Sequence, residues 1–201
     1  MKKILSVITM ALFALAICAQ EKDITTFLGI PVDGYKAEMK KKLIEKGFTY
    51  VAQKDYFEGE FNGTDVHVFI VTNNNKVYRI MVVDAHGQDE ENIKIRFNNL
   101  VHQFENNKRY LTSEDQTISK RENISYKMAV RNKIYEAIFF QLPKNYKMPL
   151  LFTEEDIKKA MEEMEPAFKK PVWFRIDESY GEYRIIMFYD NEYNQANGED
   201  L

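Results

Sequence analysis

The chain has 201 residues, 45% of them apolar, with 28 lysines and arginines against 31 aspartates and glutamates and a formal charge of −3. That length suits one domain or two small ones, and the acidic balance excludes a nucleic-acid binder, which needs a clustered basic surface. Cys18 is the only cysteine and the three histidines, His67, His86 and His102, are scattered, so disulfides and cysteine or histidine metal centres are excluded and no cofactor is expected.

In chain order, Lys2 and Lys3 precede an apolar run from Ile4 to Ala16, and Ile17-Cys18-Ala19 then ends on a small residue before the polar Gln20-Glu21-Lys22-Asp23. A basic start, an apolar middle and a small-residue cut predict a signal peptide over 1–19 and export to the periplasm, the cell surface or the medium. The run is short of the ~20 residues of a membrane span, so no transmembrane span is expected in the mature chain. Lipid anchoring at Cys18 is the rival reading; Leu15-Ala16 begins a lipobox, but Ile17 is bulky where that box wants a small residue.

Tyr35, Met39 and Leu43 recur at helical spacing before Gly47, which predicts a first helix over 35–46. Alternation then predicts strands over 48–53 and 55–61, an Asn62-Gly63 hairpin turn, and strands over 64–71 and 76–84 joined across Asn73-Asn74-Asn75, an antiparallel meander. From Asp89 to Asn106, Ile93, Phe97, Leu100, Val101 and Phe104 share one helical face, a core-facing stripe. Residues 107–123 are polar and read as a linker or long loop.

Beyond it, Ile124–Val130 and Lys133–Leu142 read as a second hairpin turning at Arg131-Asn132. Thr153, with Asp156 three residues on, caps a third helix whose stripe is Ile157, Ala160, Met161, Met164 and Phe168, and Pro166 is expected to end or kink it. Val172–Asp177 and Glu182–Tyr189 form a last hairpin, and 191–201 reads as a loose tail. The resulting fold class is α+β: antiparallel hairpins and a meander with three amphipathic helices packed on them. Residues 20–106 would be an N-terminal α+β unit and 124–190 a C-terminal one, either separate or one domain with the first.

An internal repeat is suggested by Asn75-Lys76-Val77-Tyr78 against Asn132-Lys133-Ile134-Tyr135, and by Glu90-Glu91-Asn92-Ile93-Lys94 against Glu154-Glu155-Asp156-Ile157-Lys158. Pro143–Leu150 would supply the extra length of the second copy. A helix-plus-hairpin unit would then be used twice. Several strands are apolar on both sides, notably 133–142 and 182–189, so either both sheet faces are covered within the chain or one meets a partner.

No catalytic motif stands out. Serines lack a nucleophile-elbow context, and no Gly-rich phosphate loop is present. Glu58 and Glu60 share one side of a strand, a geometry that arises on many surfaces. His86, with Asp84, Asp89, Glu90 and Glu91 nearby, sits in an acidic segment, but those acids equally suit the start of a helix. Binding is suggested instead by the aromatics Trp173, Phe174, Tyr180, Tyr183, Tyr189 and Tyr193, which as an exposed set could stack on a sugar or anchor a protein.

The runs 27–34, 60–63, 71–80 and 95–101, reading FLGIPVDG, EFNG, VTNNNKVYRI and IRFNNLV, resemble a family of exported proteins of Gram-negative gut anaerobes whose function is not established. The resemblance covers about Phe27 to Leu142; it implies a periplasmic or surface setting and brings no site residues. The helix ending at Gly47 and its following strands are similar to the helix-plus-sheet repeats of beta-lactamase-inhibitor-like domains, an analogy of fold alone. Two functions follow as expectations: a non-enzymatic binding or scaffold protein of the cell envelope, meeting an envelope protein or glycan, or an extracytoplasmic hydrolase. Oligomeric state is written in no motif.

Overall fold

The computed structural model describes residues 23–112, 115–143, 146 and 153–195. The expected signal peptide, with Cys18, lies outside the described residues, as do most of Pro143–Leu150 and the tail from 196 on. Short strands β1 (Thr26–Phe27) and β2 (Ile30–Pro31) make a small hairpin, followed by helix α1 (Lys36–Glu45). Strands β3 (Thr49–Val51), β4 (Tyr56–Phe61), β5 (Thr64–Asn73) and β6 (Lys76–Asp84) form the meander. After α2 (Glu90–Glu105) come β7 (Tyr110–Leu111), α3 (Ile124–Arg131), β8 (Glu136–Gln141), α4 (Glu154–Phe168), β9 (Pro171–Ser179) and β10 (Glu182–Asp190).

Eight of these strands form one antiparallel sheet in the order β3-β4-β5-β6-β10-β9-β8-β7. The two predicted α+β stretches therefore meet at β6 and β10, where Val82 opposes Met187 and Arg79 opposes Asp190. The turns Leu28-Gly29, Asn62-Gly63, Asn74-Asn75 and Tyr180-Gly181 all hold positive φ at both central residues, which matches the twist of the flanking strands; Asn62-Gly63 and Asn74-Asn75 have the residues such a turn favours, while Leu28 and Tyr180 do not.

One face of the sheet is dry. Phe57, Val68, Val82, Met187, Phe174 and Ala137 oppose one another in register across β4, β5, β6, β10, β9 and β8, and all are buried. Met39 and Leu43 of α1 and the full predicted stripe of α2 join the same core. Phe97 meets Phe174 edge-on with ring centres 5.0 Å apart, and Phe104 stacks on Phe139 at 4.5 Å. Asp89 starts α2 as expected, accepting from the Asn92 amide at 2.8 Å.

The segment 124–131 is a helix, not the first strand of a hairpin. Asn123 accepts from the Tyr126 amide at 2.8 Å, and Asn132 ends the helix in the left-handed region at φ 50°. Only Ile124 of its apolar residues is buried, so a short apolar run between two asparagine caps takes the local hydrogen-bonding solution. The suggested repeat fails with it: Asn75-Lys76 turns between two strands, whereas Asn132-Lys133 follows a helix. The described helices thus include a fourth α-helix beyond the three expected.

The polar connection after α2 is tied down where described. Asn98 donates to the Ile118 carbonyl at 2.8 Å and accepts from its amide at 2.7 Å, and Ile118 is buried. Thr153 and Asp156 form the capping box of α4, and Pro166 lies inside the helix, which runs two residues past it to Phe168. Met164 is half-buried, Phe168 is exposed, and the side chains of Ile157, Ala160 and Met161 lie outside the described residues. The start of the expected tail is docked: Asn191 donates to the Val32 carbonyl at 2.8 Å, and Asn194 to Asp33 and the Val77 carbonyl at 2.6 and 2.8 Å.

Candidate functional site

The six aromatics singled out above do not form one surface. Alternation along β9 and β10 sends Phe174, Tyr183 and Tyr189 into the core, each no more than 6% exposed. Tyr180 is fully exposed at the β9–β10 turn, and Tyr193, 45% exposed, lies beyond β10 in a short 3₁₀ turn. Trp173 alone projects from the middle of the opposite sheet face.

That opposite face carries its own apolar row. Phe69, Met81, Phe188, Trp173 and Ile138 oppose one another across β5, β6, β10, β9 and β8, and Tyr56 extends the row by a ring contact of 5.4 Å with Phe69. Phe69, Met81 and Trp173 are half-buried and Ile138 is exposed. Among the described residues α4 reaches this face at its β8 margin, where Phe168 meets Phe140 at 5.3 Å. The two-sided apolar pattern of β8 and β10 was the signal for such a face; Phe69, Met81 and Arg79 gave none.

The row is held rigidly at Trp173. Its ring stacks on Phe188 at 4.0 Å, its Nε1 donates to Asp190 Oδ2 at 2.9 Å, and the Arg79 guanidinium, bound to the same carboxylate, lies 4.7 Å over the Phe188 ring. Asp190 holds Arg79 above the ordinary arginine range, so this cation stays charged. In the next row Arg175 lies between Ile186 and Glu136, and its buried Nε has no hydrogen-bond partner. A buried unpaired donor of this kind is costly and rare.

The candidate polar residues are dispersed. His67 packs on Tyr56 at 4.4 Å and stands 3.9 Å from Glu58; His86 is exposed 3.7 Å from Asp65; His102 is exposed beside Glu105. Among the described residues no three of His, Cys, Asp and Glu come together as a metal site. The perturbed carboxylates are all lowered in pKa, Asp89 and Asp115 by the backbone amides of Asn92 and Thr117 and two others by lysines. Asp55 accepts from Lys36, Tyr50 and Lys40 and is driven far below the carboxylate range, and Lys127, Lys133 and Tyr135 lower Glu122 to about 2. A general acid needs the reverse shift.

On the dry side, a cavity of about 470 Å³ opens between the β1–β2 turn, the end of β4 and the last turn of α2, with Leu28 at its mouth and Tyr189 among its lining residues. No helix among the described residues is long and apolar enough to cross a membrane. No protein family, no curated protein and no solved structure matches this chain.

Proposed function

We propose that this chain is an exported, non-enzymatic binding or scaffold protein of a bacterial cell envelope, which docks another envelope protein on the open face of its sheet. The observation that carries this reading is the row Phe69, Met81, Phe188, Trp173 and Ile138 on the face away from α1 and α2. Five neighbouring strands at a spacing of about 4.8 Å make a strip roughly 19 Å across, wider than one sugar ring and flat enough for a protein surface. Its centre has the composition of an interface hot spot: a tryptophan locked by stacking and hydrogen bonding, beside an arginine that lies over an aromatic ring. Export is supported by the leader pattern at 1–19, and the envelope setting by the resemblance of 27–142.

The test is capture from solubilised envelope and culture medium by the tagged chain, expressed with its leader, alongside Ile138→Lys and Trp173→Ala. The expected result is a retained protein that survives salt washing and is lost from both variants while their folding is unchanged. Retention of the same protein by both variants would place the contact elsewhere.

A further inference from the structure

The cavity on the helix-covered side of the sheet lies apart from the proposed docking face. Phe61, Leu100, Phe104 and Met187 give it apolar walls, and its volume of about 470 Å³ lies within the range of small-molecule sites. Asn62 donates to Gln103 Oε1 at 2.6 Å, joining the β4–β5 turn to α2 beside the mouth.

Two features of the lining go beyond packing. Tyr189 is 4% exposed, yet its hydroxyl has no hydrogen-bond partner among the described residues, whereas the Tyr110 hydroxyl beside it accepts from Gln141 Nε2 at 3.0 Å. The Tyr189 oxygen is not sealed in protein either, since Arg175 Nε is the one fully buried side-chain nitrogen or oxygen without a partner among the described residues. It therefore opens onto the cavity it lines. Burial, with Tyr110 nearby, pushes this phenol well above its ordinary pKa, so it remains a neutral donor at physiological pH.

Leu28 is the second feature. It occupies a left-handed turn position, φ 50°, where asparagine, aspartate or glycine is the low-cost residue, and the residue is 39% exposed at the cavity mouth. Strain held at the rim of a cavity, in an apolar residue that an apolar occupant would cover, is the kind of outlier that marks a ligand clamp. Charge narrows the class. Glu60 lines the rim and no lysine, arginine or histidine is among the lining residues, which disfavours an anionic head group.

We propose that this cavity binds a neutral amphipathic small molecule, with its apolar body against Phe61, Leu100, Phe104 and Met187 and one hydrogen-bond acceptor taken by the Tyr189 hydroxyl. The probe is Prodan, a neutral naphthyl ketone dye whose carbonyl is the acceptor, titrated by fluorescence against the purified full chain. Wild-type protein is expected to show saturable binding at one site. Tyr189→Phe keeps the ring and removes the donor, and weakens binding about tenfold. Gln103→Trp changes an exposed residue and fills the mouth, and abolishes binding. Absence of saturable binding to wild type overturns the proposal, and so does unchanged binding to Gln103→Trp, which places the dye elsewhere. Unchanged binding to Tyr189→Phe, with Gln103→Trp inactive, overturns the assigned acceptor and with it the ligand class.

Discussion

Arg79 and Asp190 face each other across β6 and β10, and Arg79 grips both carboxylate oxygens, Nε to Oδ1 at 2.5 Å and Nη2 to Oδ2 at 2.8 Å. The pair sits where the early and late strands of the chain join into one sheet, and Asp190 is 4% exposed. Asp190→Ala leaves a partly buried guanidinium and the Trp173 Nε1 without their acceptor. The expected loss is about 2–4 kcal/mol in urea denaturation, with Asp190→Asn losing less because it still accepts from Trp173.

Phe174 and Tyr180 separate core from surface among the aromatics of the last hairpin. Phe174 is fully buried against Phe97, Phe104 and Phe139, so Phe174→Ala should cost about 3–5 kcal/mol. Tyr180→Ala, at the exposed turn, should change stability by no more than about 0.5 kcal/mol. Denaturant midpoints of the two variants, measured under one condition, check the contrast.

Asn132 decides the end of α3. Its φ of 50° suits asparagine or glycine, so Asn132→Gly should leave stability within a few tenths of a kcal/mol, while Asn132→Val should lose about 1–2 kcal/mol through the left-handed strain. Hydrogen exchange of the Lys127–Arg131 amides should accelerate in the valine variant and stay slow in the glycine one.

Glu122 makes stability depend on pH in acid. Its carboxylate accepts from Lys127 at 2.7 Å, Lys133 at 2.8 Å and Tyr135 at 2.6 Å, which lowers its folded pKa to about 2 from an unfolded value of 4.5. Because the unfolded state binds the proton more readily, the contribution is fully present above pH ~4.5 and is lost as pH falls towards 2. The stability difference between wild type and Glu122→Gln should be constant from pH 5 to 7 and shrink below ~4.5. A difference that grew on acidification would refute the assignment.

Much of the candidate site was invisible in the sequence for a reason seen in Trp173 and Phe174. The two are neighbours in an unbroken apolar run, and only the register of β9 against β8 and β10 sends Phe174 inward and leaves Trp173 on the open face. Apolar patterning on both faces of β8 and β10 did signal that the second face would need cover, but could not say which residues would line up across it. Tyr189 likewise reads as one more aromatic, and its unpaired hydroxyl depends on where α2, β4 and β7 converge.

What the sequence determined by itself is local. The α2 stripe from Ile93 to Phe104, the Asp89 and Thr153 caps, the Asn62-Gly63 turn and the strand Lys76–Asp84 all rest on residues a few positions apart, where periodicity, capping and turn geometry act. Ile124–Arg131 is the exception, since so short an apolar run fits strand or helix equally by pattern. Tertiary structure alone decided the order β6-β10-β9-β8, the split of the C-terminal aromatics between core and open face, and the cavity under Leu28. Those outcomes depend on pairing between residues about a hundred positions apart, as Arg79 with Asp190, and that pairing is selected by burial over the whole sheet, not by any neighbouring residue.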